Sequence, residues 1–270
     1  MAGNVNKIGK ATVPRTAIST SDEHSITVRG EDLCRDLIGR ISFTDYFSLL
    51  VTGQRPSKGD AMVLDATLVA IAEHGMVPSV QASRMTYAAA PDALQGAVAA
   101  GILGCGSVIL GASETAGKLF SEVDEAAKGQ DLAAAAREVV RRWREAGRAV
   151  PGYGHPLHKE RDPRVARLFE VAKEAGTSLR FVEIAEAVEQ VIPEIVGKDL
   201  RLNVSAAIPA VLLGTSFPLR ALRGVPILAR AASLIAHLTE EAVNPSGFAL
   251  SYQATRELVF EGRPAGEAAP

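Results

Sequence analysis

What most constrains this chain is punctuation. Helix-opening residues and helix-ending glycines alternate along most of its length, at spacings a helix would fill. Ser42-Phe-Thr-Asp45 has the form of a capping box, apolar residues follow it, and Gly53 stands as the stop. Ser57-Lys-Gly-Asp60 repeats the device and predicts a helix running to Gly75. Ser113-Glu114 opens a helix that ends near Gly129, and Asp131 opens one that ends at Gly147. Asp162-Pro163 is an N-cap followed by proline at the first helical position, where a missing N–H is harmless, and that helix stops at Gly176. Further helices are expected over 179–195, 205–213 and 226–243. Only His24–Arg29 alternates like a strand. Strand–helix alternation is absent, so a parallel α/β fold is rejected and the class is all-α.

Composition narrows the function. The chain has 270 residues, 47% of them hydrophobic, enough for one large domain or a large one with a smaller lobe. A net charge of -2 gives no basic surface for nucleic acid or an anionic membrane. The cluster Arg141-Arg142-Trp143-Arg144 reads as a solvated helix face unless it borders a site. Cys34 and Cys105 match no metal-ligand spacing, no metal is expected, and two free thiols suit a reducing cytoplasm. The N-terminus has no signal-peptide core. No run reads as a bilayer span; the alanine-rich 88–104 region comes nearest, interrupted by Pro91, Asp92 and Gln95. The first 20 residues and 262–270 read as arms.

Chemistry concentrates in a few places. His74 is expected at the end of a helix, where unpaired carbonyls favour a protonated imidazole able to bind a carboxylate or polarise a carbonyl; the bland alternative is a surface cap. His155 lies in Pro151-Gly-Tyr-Gly-His-Pro, where glycines let the backbone turn sharply and approach a ligand while prolines stiffen it. Arg164 falls in the first turn of the next helix, where N–H groups and a guanidinium together suit a carboxylate. The alternative is an ordinary Gly/Pro turn and a capped helix. Lys159 could reach a phosphate, and the default for it and His158 is solvation. His237 follows Arg230 by two helical turns, on one face; it reads first as a core histidine, and Arg230 as a weaker second carboxylate clamp.

These residues carry a resemblance. GYGHPLHKERDPR resembles the G-x-G-H-R-V-Y/F-K-x-x-D-P-R signature of citrate synthases and citryl-CoA lyases. IGRISFTDYFSLLVTGQRPSKGD resembles their early helix-turn-helix segment, and AEHGMVPSVQAS their A-D-H-x-x-x-x-S segment. LGASETAGKLF resembles the end of the next active-site segment, and LRLNVSAAI resembles L-x-x-N-V-D. Order and spacing hold from about Gly30 to Tyr252. The short length favours free-standing citryl-CoA lyase and the corresponding module of ATP-citrate lyase.

The resemblance implies an almost wholly helical homodimer. Its large domain would comprise 1–113 and 205–270, with a smaller helical domain inserted at 114–204. It also implies chemistry that joins or splits acetyl-CoA and oxaloacetate through citryl-CoA, with no permanently bound cofactor and a coenzyme A thioester as substrate. By motif position His74 would bind the oxo acid, His155 would serve its oxygen, and Arg164 would hold a carboxylate; Arg230, from its helical spacing, and Lys159, from its charge, stand as candidates for a second carboxylate clamp and a coenzyme A contact. Three positions depart from the pattern: Ile109 stands where synthases carry an enolate-donor histidine, Pro156 replaces an arginine, and Ser205 replaces the acid-base aspartate. The expected activity is cleavage of citryl-CoA or a related carboxylated 3-hydroxyacyl-CoA. A non-catalytic acyl-CoA or carboxylate binder and a citrate synthase are the alternatives.

Overall fold

A computed structural model describes residues 14–154 and 161–262, apart from the side chains of Ser107 and Val108. It divides into two compact units, Met1–Ala61 and Met62–Pro270.

The first unit holds a small antiparallel sheet, in the order β1 (Ser19–Ser21), β2 (Ile26–Val28), β3 (Glu31–Asp32). The expected strand at 24–29 is therefore its middle member. A π-helical turn over Leu33–Leu37 and helix α1 (Phe43–Thr52) follow. Val28, Leu37 and Leu49 form its core, with Leu33, Ile41 and Tyr46 against them. The caps of α1 act as the sequence predicts: Ser42 Oγ accepts the Asp45 N–H, and Gly53 closes the helix with φ +82°, a conformation that favours a residue without Cβ.

Helix α2 (Lys58–Ala72) opens on Ser57, whose hydroxyl accepts the Asp60 N–H and donates to the Asp60 carboxylate. It stops at Ala72, short of the expected Gly75. The second unit continues with α3 (Pro78–Ala89), α4 (Leu94–Leu103), a π-helical turn (Gly106–Leu110), α5 (Gly111–Ala126), α6 (Leu132–Glu145) and α7 (Pro163–Glu174). Helices α8 (Arg180–Val196), α9 (Val204–Leu212), α10 (Gly224–Glu241) and α11 (Gly247–Thr255) complete it. Helix α5 begins at Gly111, ahead of the expected Ser113-Glu114 start. Helices α3, α4 and α11 had no counterpart among the expected elements.

Two packing groups build this unit. Helices α3, α4, α10 and α11 pack together, as do α5 to α9. Leu119, Phe120, Val139, Val140, Ile184 and Val188 are fully buried in the second group. Burial of each such side chain stabilises by about 1.5–3 kcal/mol.

One expectation about bilayer-length runs changes. Leu219–Glu241, not the 88–104 region, is long and apolar enough by length and composition, with hydropathy 1.2. Pro226, Ala229, Arg230 and Leu234 of α10 are buried, and the helix packs on α3 and α4, the behaviour of a core helix. The 88–104 region is broken into two helices instead.

Candidate functional site

The second unit contains a cavity of about 1020 Å³, lined among others by His74, Ile109, Trp143, Arg164, Ser205 and Arg230. The sequence-predicted residues that the structure describes are thus brought to one hollow. His155 and Lys159, with Pro156 and His158, lie outside the described residues.

His74 sits beyond α2, in a turn closed by Gly75 (φ +68°) and the Val77 N–H to Gly75 carbonyl bond at 2.8 Å. Pro78 at the first position of α3 ends that turn.

The glycine-rich loop is held from behind. Gly154 N–H donates to the Arg201 carbonyl (2.7 Å), Asn203 N–H to the Gly152 carbonyl (3.0 Å), and Asn203 Nδ2 to the Gly154 carbonyl (2.7 Å). Tyr153 is buried and donates its hydroxyl to the Ala185 carbonyl at 2.8 Å. Burial, reinforced by the negative charge of Glu189, pushes its phenol well above the ordinary range. Gly152 has φ +84°, and a Cβ there would come within 2.5 Å of the Ala206 Cβ. The close approach that this glycine permits is therefore to α9. Asn203 also caps that helix, accepting the Ser205 N–H at 2.9 Å. Ser205 thereby stands in the first turn of α9, at the cavity wall.

Two arginines reach the cavity in different states. Asp162 caps α7 through the Arg164 N–H (3.0 Å) and grips the same residue's guanidinium, Nε to Oδ1 at 3.0 Å and Nη2 to Oδ2 at 2.7 Å. The anion that the helix start and the guanidinium were expected to receive is thus supplied first by the chain itself. Arg230, read as the weaker clamp, is 6% exposed, and its buried Nε and Nη1 have no hydrogen-bond partner among the described residues. A buried, unpaired guanidinium is costly unless an anion joins it. Arg230 is therefore a cavity-lining cation with two N–H groups left open among the described residues.

The cavity's far side was not expected. Trp143 is 2% exposed, and the Arg148 guanidinium stacks on its ring, 4.0 Å from the centroid. Glu122 accepts from Trp143 Nε1 (2.9 Å) and Arg142 Nη2 (2.7 Å). Partial burial opposes the effect, but those two donors hold its carboxyl below the ordinary range. The basic cluster on α6 borders the site after all, through its tryptophan. The one signal for this was the single tryptophan inside a run of arginines. The described lining includes Lys118, Arg148, Arg164 and Arg230; Glu114, Glu122 and Asp162 already pair with the first three, so it is Arg230 that favours an anion in the hollow. No group of three His, Cys, Asp or Glu side chains stands together as a metal site among the described residues.

Residues 39–247 match the family model described as citrate synthase, C-terminal domain. A citryl-CoA lyase structure from Hydrogenobacter thermophilus superposes with a TM-score of 0.83 at 30% identity, covering 96% of this chain and 98% of that one. An ATP citrate lyase from Methanosaeta concilii, solved with (3S)-citryl-CoA, shares the fold at a TM-score of 0.76 and 22% identity, over 96% of this chain and 43% of that one. A citrate synthase of Haloferax volcanii is 26% identical over 198 residues, 72% of this chain and 50% of its own. The chain spans about half the length of the curated citrate synthases that it matches over most of its own length. The all-α fold is citrate synthase-like, and the chain belongs to the citrate synthase family.

Proposed function

We propose that the chain cleaves citryl-CoA, or a related carboxylated 3-hydroxyacyl-CoA, into a shorter acyl-CoA and an oxo acid such as oxaloacetate. The observation that carries this is Arg230, whose buried Nε and Nη1 have no partner among the described residues, in the lining of a hollow shared with His74 and Ser205. A cavity of about 1020 Å³ suits an extended thioester better than a small dicarboxylate alone. The nearly complete overlap with a citryl-CoA lyase favours cleavage over condensation.

In the proposed step a base takes the hydroxyl proton of the substrate. The bond between the hydroxyl-bearing carbon and the thioester α-carbon breaks. The hydroxyl oxygen becomes the oxo acid's carbonyl, and the electron pair passes to the thioester enolate, which is then protonated at carbon. Arg230, with the remaining N–H groups of Arg164, would hold carboxylates. His74 would hold the oxygen that becomes the carbonyl. His155 is proposed as the base that takes the hydroxyl proton, and Lys159 as a coenzyme A contact. Ser205 cannot serve as the acid-base carboxylate of the family pattern. Its hydroxyl and the start of α9 are left to bind the negative side of the thioester.

The deciding assay mixes citryl-CoA with the protein and follows oxaloacetate release. Absence of release above background, across several carboxylated 3-hydroxyacyl-CoAs, removes the proposal. Ser205 and Ile109 favour a second reading, a non-catalytic acyl-CoA or carboxylate binder, which calorimetry would show as binding without turnover. The relatives named citrate synthase keep condensation as a third outcome of the same experiment. The inserted small domain at 114–204, homodimerisation and a cytoplasmic location belong to the leading proposal, and light scattering and cell fractionation test the last two.

A further inference from the structure

His237 is not among the cavity's lining residues, yet it is wired to the turn that carries His74. Its side chain is 13% exposed on α10. From α3, the buried Arg84 places Nη2 2.9 Å from His237 Nδ1. A guanidinium can only donate, so Nδ1 must present its lone pair. In the neutral ring the proton is therefore on Nε2, which stands 3.0 and 3.2 Å from the two carboxylate oxygens of Glu73. That carboxylate also accepts the Gly75 N–H, and so brackets His74 from one residue before to one residue after. Arg84 is itself fixed by Glu240 and Glu241 of α10 and by Ser246, ahead of α11. Glu241 in turn accepts the Ser246 and Gly247 N–H groups.

The physics of Glu73 makes this chain consequential. A carboxylate just past the C-terminus of α2 faces unpaired carbonyls and is disfavoured there unless donors hold it. Partial burial works against ionisation too, but the Gly75 N–H and the His237 imidazole together keep its carboxyl below the ordinary range. The Glu73 side chain is 56% exposed. Without the imidazole it has every reason to turn to water and release the turn.

We propose that His237 and Glu73 are positioning residues for His74: Arg84 sets the imidazole tautomer, the imidazole fixes the carboxylate, and the carboxylate fixes the turn. The assignment rests on the cleavage reading above only for its kinetic consequence. The test uses full-length protein with isotope-labelled histidine, comparing the parent with Glu73→Ala, His237→Phe and His237→Gln. His74 is assigned in the spectra by a His74→Asn variant. Glu73→Ala and His237→Phe should move the titration curve of His74 and abolish its response to added oxaloacetate. With citryl-CoA they should lower kcat about 10- to 100-fold while KM stays nearly constant, the size expected for a misplaced group. His237→Gln keeps a donor near Glu73 and should recover most of both signals. A His74 titration curve that coincides with the parent's in Glu73→Ala and His237→Phe overturns the proposal, whether or not Tm falls. Glu73 is half-exposed, so its variant carries the test should His237→Phe fail to fold. A parent protein that turns over no thioester counts against the proposed activity alone, because the titration of His74 is read without turnover.

Discussion

Asp162 and Arg164 bind each other through two parallel hydrogen bonds within a single helical turn, Nε to Oδ1 at 3.0 Å and Nη2 to Oδ2 at 2.7 Å. The aspartate is 1% exposed and the arginine side chain 26%. The same carboxylate caps α7. Removing it should undo a cap, worth about 0.5–2 kcal/mol, and strand a half-buried guanidinium. Asp162→Ala is therefore expected to lower stability by about 2–4 kcal/mol, discounted from a fully buried pair because Arg164 reaches solvent. Urea unfolding followed by circular dichroism measures it. A loss below about 0.5 kcal/mol, within the range of ordinary surface changes, would show the pair to be incidental.

The opposite sign is expected at Arg230. Its Nε and Nη1 are buried without a partner among the described residues, which is costly unless an anion joins them. Arg230→Met should leave Tm unchanged or raise it by about 2–4 °C per kcal/mol gained. The same change should weaken oxaloacetate binding about 10- to 100-fold, the worth of a hydrogen bond to a charged group. Differential scanning calorimetry and titration calorimetry on one preparation give both numbers. A lower Tm with unaltered binding would contradict this role.

Caps carry only part of what the sequence revealed of this fold, since α5, α8 and α10 were expected from their start signals and apolar runs and yet have no side-chain cap bond. Helices α1, α2, α6, α7 and α9 open on Ser42, Ser57, Asp131, Asp162 and Asn203, each of which accepts a backbone N–H through its side chain. All five were expected, the last from its apolar run. Helices α3, α4 and α11, which were not, start at Val77, Ala93 and Ser246, where no side chain makes a cap bond. They are supported by packing on α10 and on one another, a tertiary effect, and the local mark among them is Pro78 at the start of α3. The candidate site divides the same way. His74 and Arg164 were legible because each sits beside a helix terminus, and Ser205 only through its place in the family pattern L-x-x-N-V-D. The ranking of Arg230 over Arg164 was not legible, since it depends on Asp162 having already claimed Arg164. The Glu73–His237 pair joins positions 164 residues apart, which no spacing rule could bring together.

Glu241 should govern part of the acid limit of stability. It is 3% exposed and accepts from Ser246 N–H (2.7 Å), Ser246 Oγ (2.7 Å), Gly247 N–H (2.6 Å) and Arg84 Nη1 (3.1 Å). Burial pushes its carboxyl upward, but these donors outweigh it and hold the folded-state value below the ordinary 4.5. A depressed folded value means the stabilisation is complete above 4.5 and is lost as pH falls below it and through the lower folded value. Thermal melts between pH 7 and 3 should show Glu241→Gln less stable than the parent at neutral pH, with the gap narrowing on acidification. A gap constant across that range would exclude the linkage.

Gly152 tests whether the glycine loop serves α9. Substitution by alanine must tolerate φ +84° and a Cβ within 2.5 Å of the Ala206 Cβ and 2.8 Å of its backbone nitrogen. Neither neighbour is a flexible side-chain end, so the loop or the helix start must move. Gly152→Ala is expected to cost about 1–3 kcal/mol in stability and to weaken oxaloacetate binding by displacing Ser205 at the cavity wall. Chemical denaturation with titration calorimetry reads both effects. A variant as stable as the parent would show that this contact can relax.

Ser205→Asp returns a carboxylate to the place where the family pattern carries its acid-base group. The start of α9 favours a negative charge there, and cations line the surrounding cavity, so the new carboxylate should be ionised at neutral pH. With a base at that wall, abstraction of a proton from the methyl group of acetyl-CoA should accelerate by about 10²–10⁴. Exchange of those protons for deuterium, followed by NMR in heavy water, isolates this step from carbon–carbon bond formation or cleavage. A rate equal to the parent's, in a variant that still binds acetyl-CoA, would mean that the serine does not face the reacting carbon.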